Sequence, residues 1–180
     1  MAKKSTRNTR GRIVSAAWKL FYEQGYEDTT VEEIIELSGT SKGSFYHYFD
    51  GKDALLSTLS SLFDEKYEEL TGLLTPEMTA MEQLLFLNRE LFHMIEDSIS
   101  LDLLARLYST QLTTNGEKHL LDHNRIYYKL LRKIIAKGQA EGQLSSRSNV
   151  NEMVKLYALC ERALLYDWCL CAGEYALTEY

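Results

Sequence analysis

The chain has 180 residues, of which 45% are hydrophobic and 26% are charged, and its formal net charge is −6. This composition excludes a mainly disordered chain. One proline and ten glycines are too few for a protein of short strands joined by many turns. No apolar run could span a membrane, and the three cysteines cluster in the last 21 residues. We therefore expect an all-α, cytoplasmic protein that has no disulfide framework and no membrane partner.

Charge is distributed unevenly along the sequence. Residues 1–12 carry five basic side chains and no acidic one, residues 1–52 sum to +1, and residues 53–180 sum to −7. Phosphates respond to local rather than total charge, so a basic N-terminus remains compatible with DNA binding. The basic arm, residues 3–12, is interpreted either as a DNA contact or as a solvated tail.

Apolar spacing predicts a series of helices with one clear joint at Pro76. The predicted ranges are 9–24, 31–38, 42–48, 52–74, 77–97, 99–112, 117–141 and 149–173. Gly25 fits the residue that ends the first helix. Thr29 or Thr30 caps the second helix, and Glu33 completes a capping box after Thr30.

Two of these short helices, joined by a tight turn over residues 38–41, form a helix-turn-helix pattern. In such proteins the second helix enters the major groove of DNA. Gly43 costs this helix roughly 1 kcal/mol relative to alanine, which favours a role in close approach to base edges. Phe45 and Phe49 are four residues apart and are expected to face inward. The alternative interpretation is a three-helix subdomain with a purely structural role.

The outward side chains of this second helix can bind DNA in distinct ways. Lys42 can reach a guanine or a phosphate, and Ser44 can donate or accept at a base edge. Tyr46 and His47 can bond phosphates. Lys52 starts the next helix, where its charge and the amide groups could hold another phosphate.

The segments IVSAAWKLFYEQGY (13–26) and TTVEEIIELSGTSKGSFYHYFDGKDAL (29–55) resemble the N-terminal domain of TetR-family (AcrR-like) transcriptional regulators. The resemblance implies an all-α homodimer, usually a repressor, that binds a palindromic operator. When the DNA-contacting positions of the family are matched to this sequence, the resemblance implies DNA contacts at Thr30, Thr40, Ser41, Lys42, Gly43, Ser44, Tyr46, His47 and Lys52. The predicted domains are residues 1–52, the helix-turn-helix domain with its basic arm, and residues 53–180, a regulatory and dimerisation domain.

The resemblance also implies two C-terminal dimerisation helices, whereas this sequence reaches Tyr180 soon after the first of them. The predicted helix over 149–173 is apolar nearly all round. A helix of that kind is buried on all sides, so we expect one side to face the core and another to face a twin subunit. A two-fold dimer would set two recognition helices roughly 34 Å apart, or a multiple of that distance.

A ligand pocket is predicted among the helices after Pro76. Tyrosine offers apolar area with a polar tip, which suits a small aromatic or amphipathic effector. The candidate lining residues are Phe86, Phe92, Tyr108, Tyr127, Tyr128, Tyr157 and Glu161. Each tyrosine is alternatively an ordinary core residue. Glu161 is a pocket carboxylate that selects a cation, a salt-bridge partner, or an exposed residue.

Other chemistry finds little support in the sequence. His119 and His123 have helical ligand spacing, but two ligands do not close a metal site. No catalytic set, phosphate-binding loop or cofactor fingerprint is present, so we expect neither an enzyme nor a bound metal or cofactor. Cys160 is expected in the core. Two alternatives stay open: a C-terminal domain that binds a protein partner, and a small-molecule-binding protein without a DNA function.

Overall fold

The computed structural model describes residues 2–113 and 118–179, and within these ranges every regular element is a helix. The predicted all-α fold is therefore confirmed. The α-helices are α1 Ala2–Gln24, α2 Val31–Ser38, α3 Lys42–Tyr48, α4 Lys52–Leu56, α5 Leu59–Thr71, α6 Ala80–Ser98, α7 Leu101–Thr113, α8 Ile126–Ala140 and α9 Val150–Leu170. Short 3₁₀ turns occupy His119–Leu121 and Leu177–Glu179.

The chain divides into two compact units, Met1–Leu59 and Ser60–Tyr180. The division falls later than the boundary predicted after residue 52. Burial explains the difference, because Leu55 and Leu56 of α4 are fully buried, and Trp18 Nε1 donates to Thr58 Oγ1 at 2.9 Å. The segment that follows α3 thus packs within the N-terminal unit.

The N-terminal unit, residues 2–59, has an apolar core formed by its four helices. The largest buried side chains are Phe21 of α1, Ile34 of α2 and Phe45 of α3. Apolar spacing alone would place Leu37 of α2 on the inward face with Ile34, but Leu37 is 45% exposed. Helix α1 also begins at Ala2, earlier than predicted, because no breaker precedes Thr9.

The fourth predicted helix, over 52–74, is in fact two helices. The chain turns at Ser57 and Thr58, whose hydroxyls donate to the carbonyls of Ala54 at 2.7 Å and Leu55 at 2.6 Å. Thr58 N–H also bonds the Leu55 carbonyl, three residues back. Hydroxyl side chains that bond nearby backbone groups compete with the helix ladder, which explains the break between α4 and α5.

The C-terminal unit, residues 60–179 where described, contains most of α5 and helices α6 to α9. The predicted joint at Pro76 is confirmed as the turn between α5 and α6. The predicted helix over 117–141 starts only at Ile126, because Asp122 Oδ1 accepts the Asn124 N–H and holds a turn there. The helical spacing proposed for His119 and His123 is therefore wrong.

The last two helices, α8 and α9, pack against each other within this unit. Helix α9 corresponds to the predicted helix over 149–173, which is the first of the two dimerisation helices that the resemblance implies. Among the described residues after α9, the only regular element is the 3₁₀ turn Leu177–Glu179. Helix α9 ends at Leu170 rather than near residue 173, where Gly173 adopts a φ of 74°. Cys160 is exposed, so its predicted place in the core is wrong.

Two features are absent from the described residues. Within them, no helix combines the length and apolar content needed to cross a membrane. In the same part of the chain, no three His, Cys, Asp or Glu side chains are grouped so that they could hold a metal ion.

Candidate nucleic-acid interface and ligand cavity

The turn between α2 and α3 is fixed by local hydrogen bonds. Gly39 adopts the left-handed conformation, with φ 60° and ψ 36°, and its N–H caps the end of α2. Ser41 caps α3, since its hydroxyl accepts the Ser44 N–H at 3.1 Å. Thr40 Oγ1 and Ser38 Oγ lie 2.8 Å apart. The predicted caps and turn are confirmed, and they set the direction in which α3 leaves the turn.

Helix α3 has one buried and one exposed face. Phe45 and Phe49 are buried, as predicted. Tyr46 is 47% exposed and His47 is exposed beside it. Lys42 and Gly43 of the first turn are also exposed, together with the capping Ser41. The helix therefore presents small, polar and basic groups outward, which are the groups that can reach base edges and phosphates.

Lys42 already has an acidic neighbour within the N-terminal unit. Its Nζ lies 3.2 Å from Glu32 Oε1 on α2, and both side chains are exposed. The hydrogen bond from Lys42 lowers the pKa of the Glu32 carboxyl. An exposed pair of this kind adds little stability, so a phosphate or base can compete for the ammonium group. Sequence reasoning missed Glu32, since nothing in the spacing of residues 32 and 42 predicts a contact between helices.

Gly43 lies where a side chain would meet almost nothing. A β-carbon at this position would lie 4.0 Å from Ser41 Oγ, and apart from its chain neighbours and the backbone of α3, no other described atom would lie as close. Its backbone is helical and does not require glycine. Neither packing nor backbone conformation explains why position 43 carries a glycine. Because Gly43 has no side chain, an external surface can approach the backbone of α3 closely at this residue.

Lys52 holds a loop of its own unit. Its Nζ donates to the carbonyl oxygens of Tyr26 at 2.6 Å, Glu27 at 3.2 Å and Thr29 at 2.9 Å, and it lies over the Tyr26 ring. An ammonium group has three donors, and all three are used here. The geometry gives Lys52 a structural role, while the predicted phosphate contact stays a prediction.

Other residues of this unit that were predicted to contact DNA make contacts within the unit. The Thr30 hydroxyl is used in the capping box of α2, where it bonds both the Glu33 N–H and the Glu33 carboxylate. The Arg10 guanidinium lies 5.4 Å from the centre of the Phe49 ring. The side chains of Lys3, Lys4 and Arg7 in the basic arm lie outside the described residues.

A buried carboxyl stands at the centre of the C-terminal unit. Glu161 of α9 accepts hydrogen bonds from Tyr67 Oη at 3.2 Å and from Tyr127 Oη at 3.1 Å. The side chain is nine-tenths buried, so an exposed position is excluded for Glu161. Sequence reasoning missed Tyr67, because its place in the apolar stripe of α5 gives no sign of a polar partner on α9.

Burial controls the acidity of this cluster. It raises the pKa of Glu161 to about 7, against the opposing effect of the two tyrosine hydroxyls and of Arg162 and Arg125. Burial and the Glu161 charge together raise the pKa values of Tyr67, Tyr127, Tyr157 and Tyr108 well above the usual range. These tyrosines are therefore neutral hydrogen-bond donors.

The space around Glu161 is small. Its cavity measures about 30 Å³ and is lined by Phe63, Tyr67, Leu91, Tyr108, Leu120, Arg125, Tyr127, Glu161, Arg162 and Leu165. One wall is fixed by an ion pair in which Arg125 Nε lies 3.0 Å from Asp64 Oδ2, with both side chains largely buried. A space of this volume holds about one water molecule, so an effector would have to open it.

The predicted ligand residues fall into three places. Tyr108, Tyr127 and Glu161 meet at the small cavity. Phe92 is fully buried, Tyr157 Oη donates to the Leu84 carbonyl at 3.0 Å, and Tyr128 Oη donates to the Leu120 carbonyl at 3.1 Å. Phe86 instead lines a separate open groove of about 470 Å³ with Glu77, Met78, Glu82, Leu85 and Arg89.

The N-terminal unit matches a known family. The profile described as bacterial regulatory proteins, tetR family, matches residues 13–59. The regulator TtgR of Pseudomonas putida is 34% identical over 68 residues, which are 38% of this chain and 32% of TtgR. QacR of Staphylococcus aureus is 36% identical over 62 residues, which are 34% of this chain and 33% of QacR. The matches thus span about a third of the length of these curated relatives.

Solved structures extend the similarity across the chain. FadR of Thermus thermophilus, a repressor in complex with lauroyl-CoA, is 25% identical with a TM-score of 0.79, and the match covers 94% of this chain and 88% of that one. FadR of Bacillus subtilis, in complex with stearoyl-CoA, is 21% identical with a TM-score of 0.70, over 94% of this chain and 92% of that one. At 21% identity, the similarity to the Bacillus subtilis protein shows only that the two chains share a fold.

Proposed function

Through residues 13–59 the chain belongs to the tetR family of bacterial regulatory proteins, and from this premise we propose that it is a DNA-binding, ligand-responsive repressor. The observation that carries the proposal is the outer face of α3. It presents the exposed Lys42, Tyr46 and His47 around Gly43, a glycine that no packing or backbone requirement of the unit explains. Such a face suits the major groove, where a close backbone approach brings side chains to base edges.

We propose that the repressor is a homodimer that binds a palindromic operator. Support comes from α9, which leaves large apolar side chains exposed on the side opposite its buried stripe. Leu156 is 61% exposed and Leu170 is 66% exposed, and Cys160 lies exposed between them. An apolar patch of this kind is typical of an interface. A two-fold pairing would repeat α3 and hence match a palindrome.

We propose that the C-terminal unit binds the effector that controls DNA affinity. The tyrosine-rich surroundings of Glu161 and the lauroyl-CoA complex of Thermus thermophilus FadR support an amphipathic effector. A ligand that favours a state unsuited to DNA lowers operator affinity by the difference between its own affinities for the two states.

The DNA proposal is tested by selection from a random duplex library at near-physiological salt. The wild-type protein should enrich a palindrome, and its affinity should fall as a power of salt concentration. Lys42→Ala should weaken binding and reduce the salt slope by about 1. Lys19→Ala is the matched control, because Lys19 also forms an exposed ion pair, with Glu23, but lies on α1. No enrichment above non-specific binding would contradict the proposal.

A further inference from the structure

A second recess in the C-terminal unit differs in character from the small cavity around Glu161. It is a groove of about 390 Å³ between α7, the 3₁₀ turn after it and α9. Its lining residues are Tyr108, Gln111, Leu112, Lys118, Leu120, Leu121, Leu159, Arg162, Ala163 and Tyr166. The volume lies within the usual range for small-molecule sites, about 300–1,000 Å³.

The wall of the groove is mostly apolar and open to solvent. Leu112, Leu121, Leu159 and Tyr166 are all exposed large hydrophobic residues. Exposed apolar side chains that converge on one concave surface lose unfavourable contact with water when an apolar chain or ring covers them. The groove therefore suits a ligand with an apolar body.

The charged side chains that line the groove, among the described residues, have one sign. They are Arg162 and Lys118, and no described Asp or Glu lines it. Arg162 Nη1 donates to Tyr128 Oη at 3.0 Å, and Lys118 Nζ donates to the Gln111 carbonyl at 2.9 Å. Neither cation forms an ion pair with any carboxylate of the described residues. Two such cations in a segment of net charge −7 (residues 53–180) mark the groove as a local anion site.

The groove also adjoins the buried cluster. Tyr108, Leu120 and Arg162 line both the groove and the cavity around Glu161. Arg162 bonds Tyr128, whose hydroxyl in turn holds the Leu120 carbonyl at 3.1 Å. A ligand that draws the Arg162 guanidinium toward the groove would therefore act on the same side chains that close the cavity.

We propose that this groove binds an amphipathic anion, with its acidic head on Arg162 and Lys118 and its apolar body along the leucines. A guanidinium binds a carboxylate or phosphate through two parallel hydrogen bonds, so Arg162 is the main anchor. The further claim that this ligand regulates DNA affinity rests on the proposed function.

Four probes with the same ten-carbon chain test the head-group requirement: decanoate, decanoyl-CoA, decanol and decyltrimethylammonium, each kept below its micelle concentration. We expect decanoate or decanoyl-CoA to raise the Tm of the full chain and to bind in calorimetry. Comparison of these two identifies a free acid or a thioester as the source of the anion. Equal or tighter binding of decanol or decyltrimethylammonium would overturn the proposal.

Variants of the two cations locate the binding. Arg162→Gln and Lys118→Gln should each raise the Kd of the bound anion by about tenfold or more. Lys118→Gln keeps the test informative if loss of the Tyr128 bond unfolds the Arg162 variant, because Lys118 is exposed. Arg147→Gln, on an exposed turn before α9, is the control and should bind as the wild type does. Unchanged affinity in both cation variants would overturn the proposal.

Two further readouts separate this proposal from the proposed function. If the anion binds through Arg162 while operator affinity stays unchanged, the groove is supported and its regulatory role fails. If a palindrome is selected but no anion binds, the proposed repressor function is supported and the groove proposal is contradicted. A third outcome is that Arg162→Gln converts a dimer to a monomer while the wild type binds no anion. That result would assign the groove to contact with a second copy of the chain, and it also overturns the proposal.

Discussion

At the scale of single residues, Glu161 shows what burial does to a carboxyl group. Two tyrosine hydroxyls satisfy its oxygens, yet burial still raises its pKa to about 7. Between the unfolded value near 4.5 and this folded value, the folded state holds a proton that the unfolded state has lost. Stability from this group is therefore complete below about pH 4.5 and falls as pH rises toward 7.

The prediction concerns Glu161→Gln, which removes this titration. The free energy of unfolding of the wild type should fall relative to the variant between pH 5 and pH 8, by up to about 3 kcal/mol. Urea unfolding at several pH values measures the difference. Glu68→Gln, an exposed change on α5, is the control and should follow the wild type. A difference that does not vary with pH would show that Glu161 titrates normally in the folded state.

Gly43 supports a prediction in which stability and binding change in opposite directions. Alanine is the better helix former by up to about 1 kcal/mol, and the unit leaves room for its methyl group. Gly43→Ala should therefore raise the Tm while it weakens operator binding. Thermal unfolding and DNA titration of one preparation measure both effects. Full DNA affinity in the variant would mean that α3 does not approach DNA closely at this residue.

Lys42 and Lys52 show how two basic residues of similar sequence context acquire different roles. Lys42 has one exposed partner, Glu32, and can exchange it for DNA. Lys52 has its three donors on the carbonyls of the loop before α2. A change at Lys42 should therefore act on affinity, and a change at Lys52 should act first on the stability of the N-terminal unit.

At the scale of elements, the crossing of α6 and α8 depends on one glycine. A β-carbon at Gly138 would lie 2.5 Å from Ala80 Cβ and 2.9 Å from the Leu144 side chain. Leu144 is held close by its own N–H, which bonds the Gly138 carbonyl at 3.0 Å. The two helices can approach this closely only because position 138 carries no side chain.

We predict that Gly138→Ala lowers the free energy of unfolding by about 1–3 kcal/mol, because the added methyl group overpacks this crossing. Chemical denaturation measures the loss. Gly11→Ala on α1 is the matched control, since no described atom beyond its chain neighbours and the backbone of α1 lies within 4 Å of a β-carbon there. This change should be neutral or slightly stabilising. An unchanged stability in Gly138→Ala would show that α6 and α8 separate at little cost.

At the scale of the whole molecule, the proposed dimer depends on the exposed face of α9. Leu156→Glu places a charge on this face and should convert a dimer to a monomer, because a buried unpaired charge is costly. Sedimentation velocity measures the mass, and operator affinity should fall with it. Leu73→Glu, at a residue 57% exposed after α5, is the control and should leave the mass unchanged. A monomeric wild type would contradict the proposed interface.

The sequence by itself determined the features that depend on interactions between residues close together along the chain. Helical spacing, the capping box at Thr30, the Ser41 cap and the left-handed Gly39 are all set by residues a few positions apart, and the structure confirms them. The inward direction of Phe45 and Phe49 follows from the same spacing. Local errors arose where hydroxyl or carboxylate side chains ended a helix, as at Thr58 and Asp122.

Only the tertiary structure decided which distant residues meet. The bonds from Tyr67 and Tyr127 to Glu161 join three helices, and no spacing along the chain encodes them. The same holds for the loop around Lys52 and for the ion pair between Lys42 and Glu32. These contacts depend on how the helices pack, and packing is set by the combined burial of many side chains rather than by any local pattern.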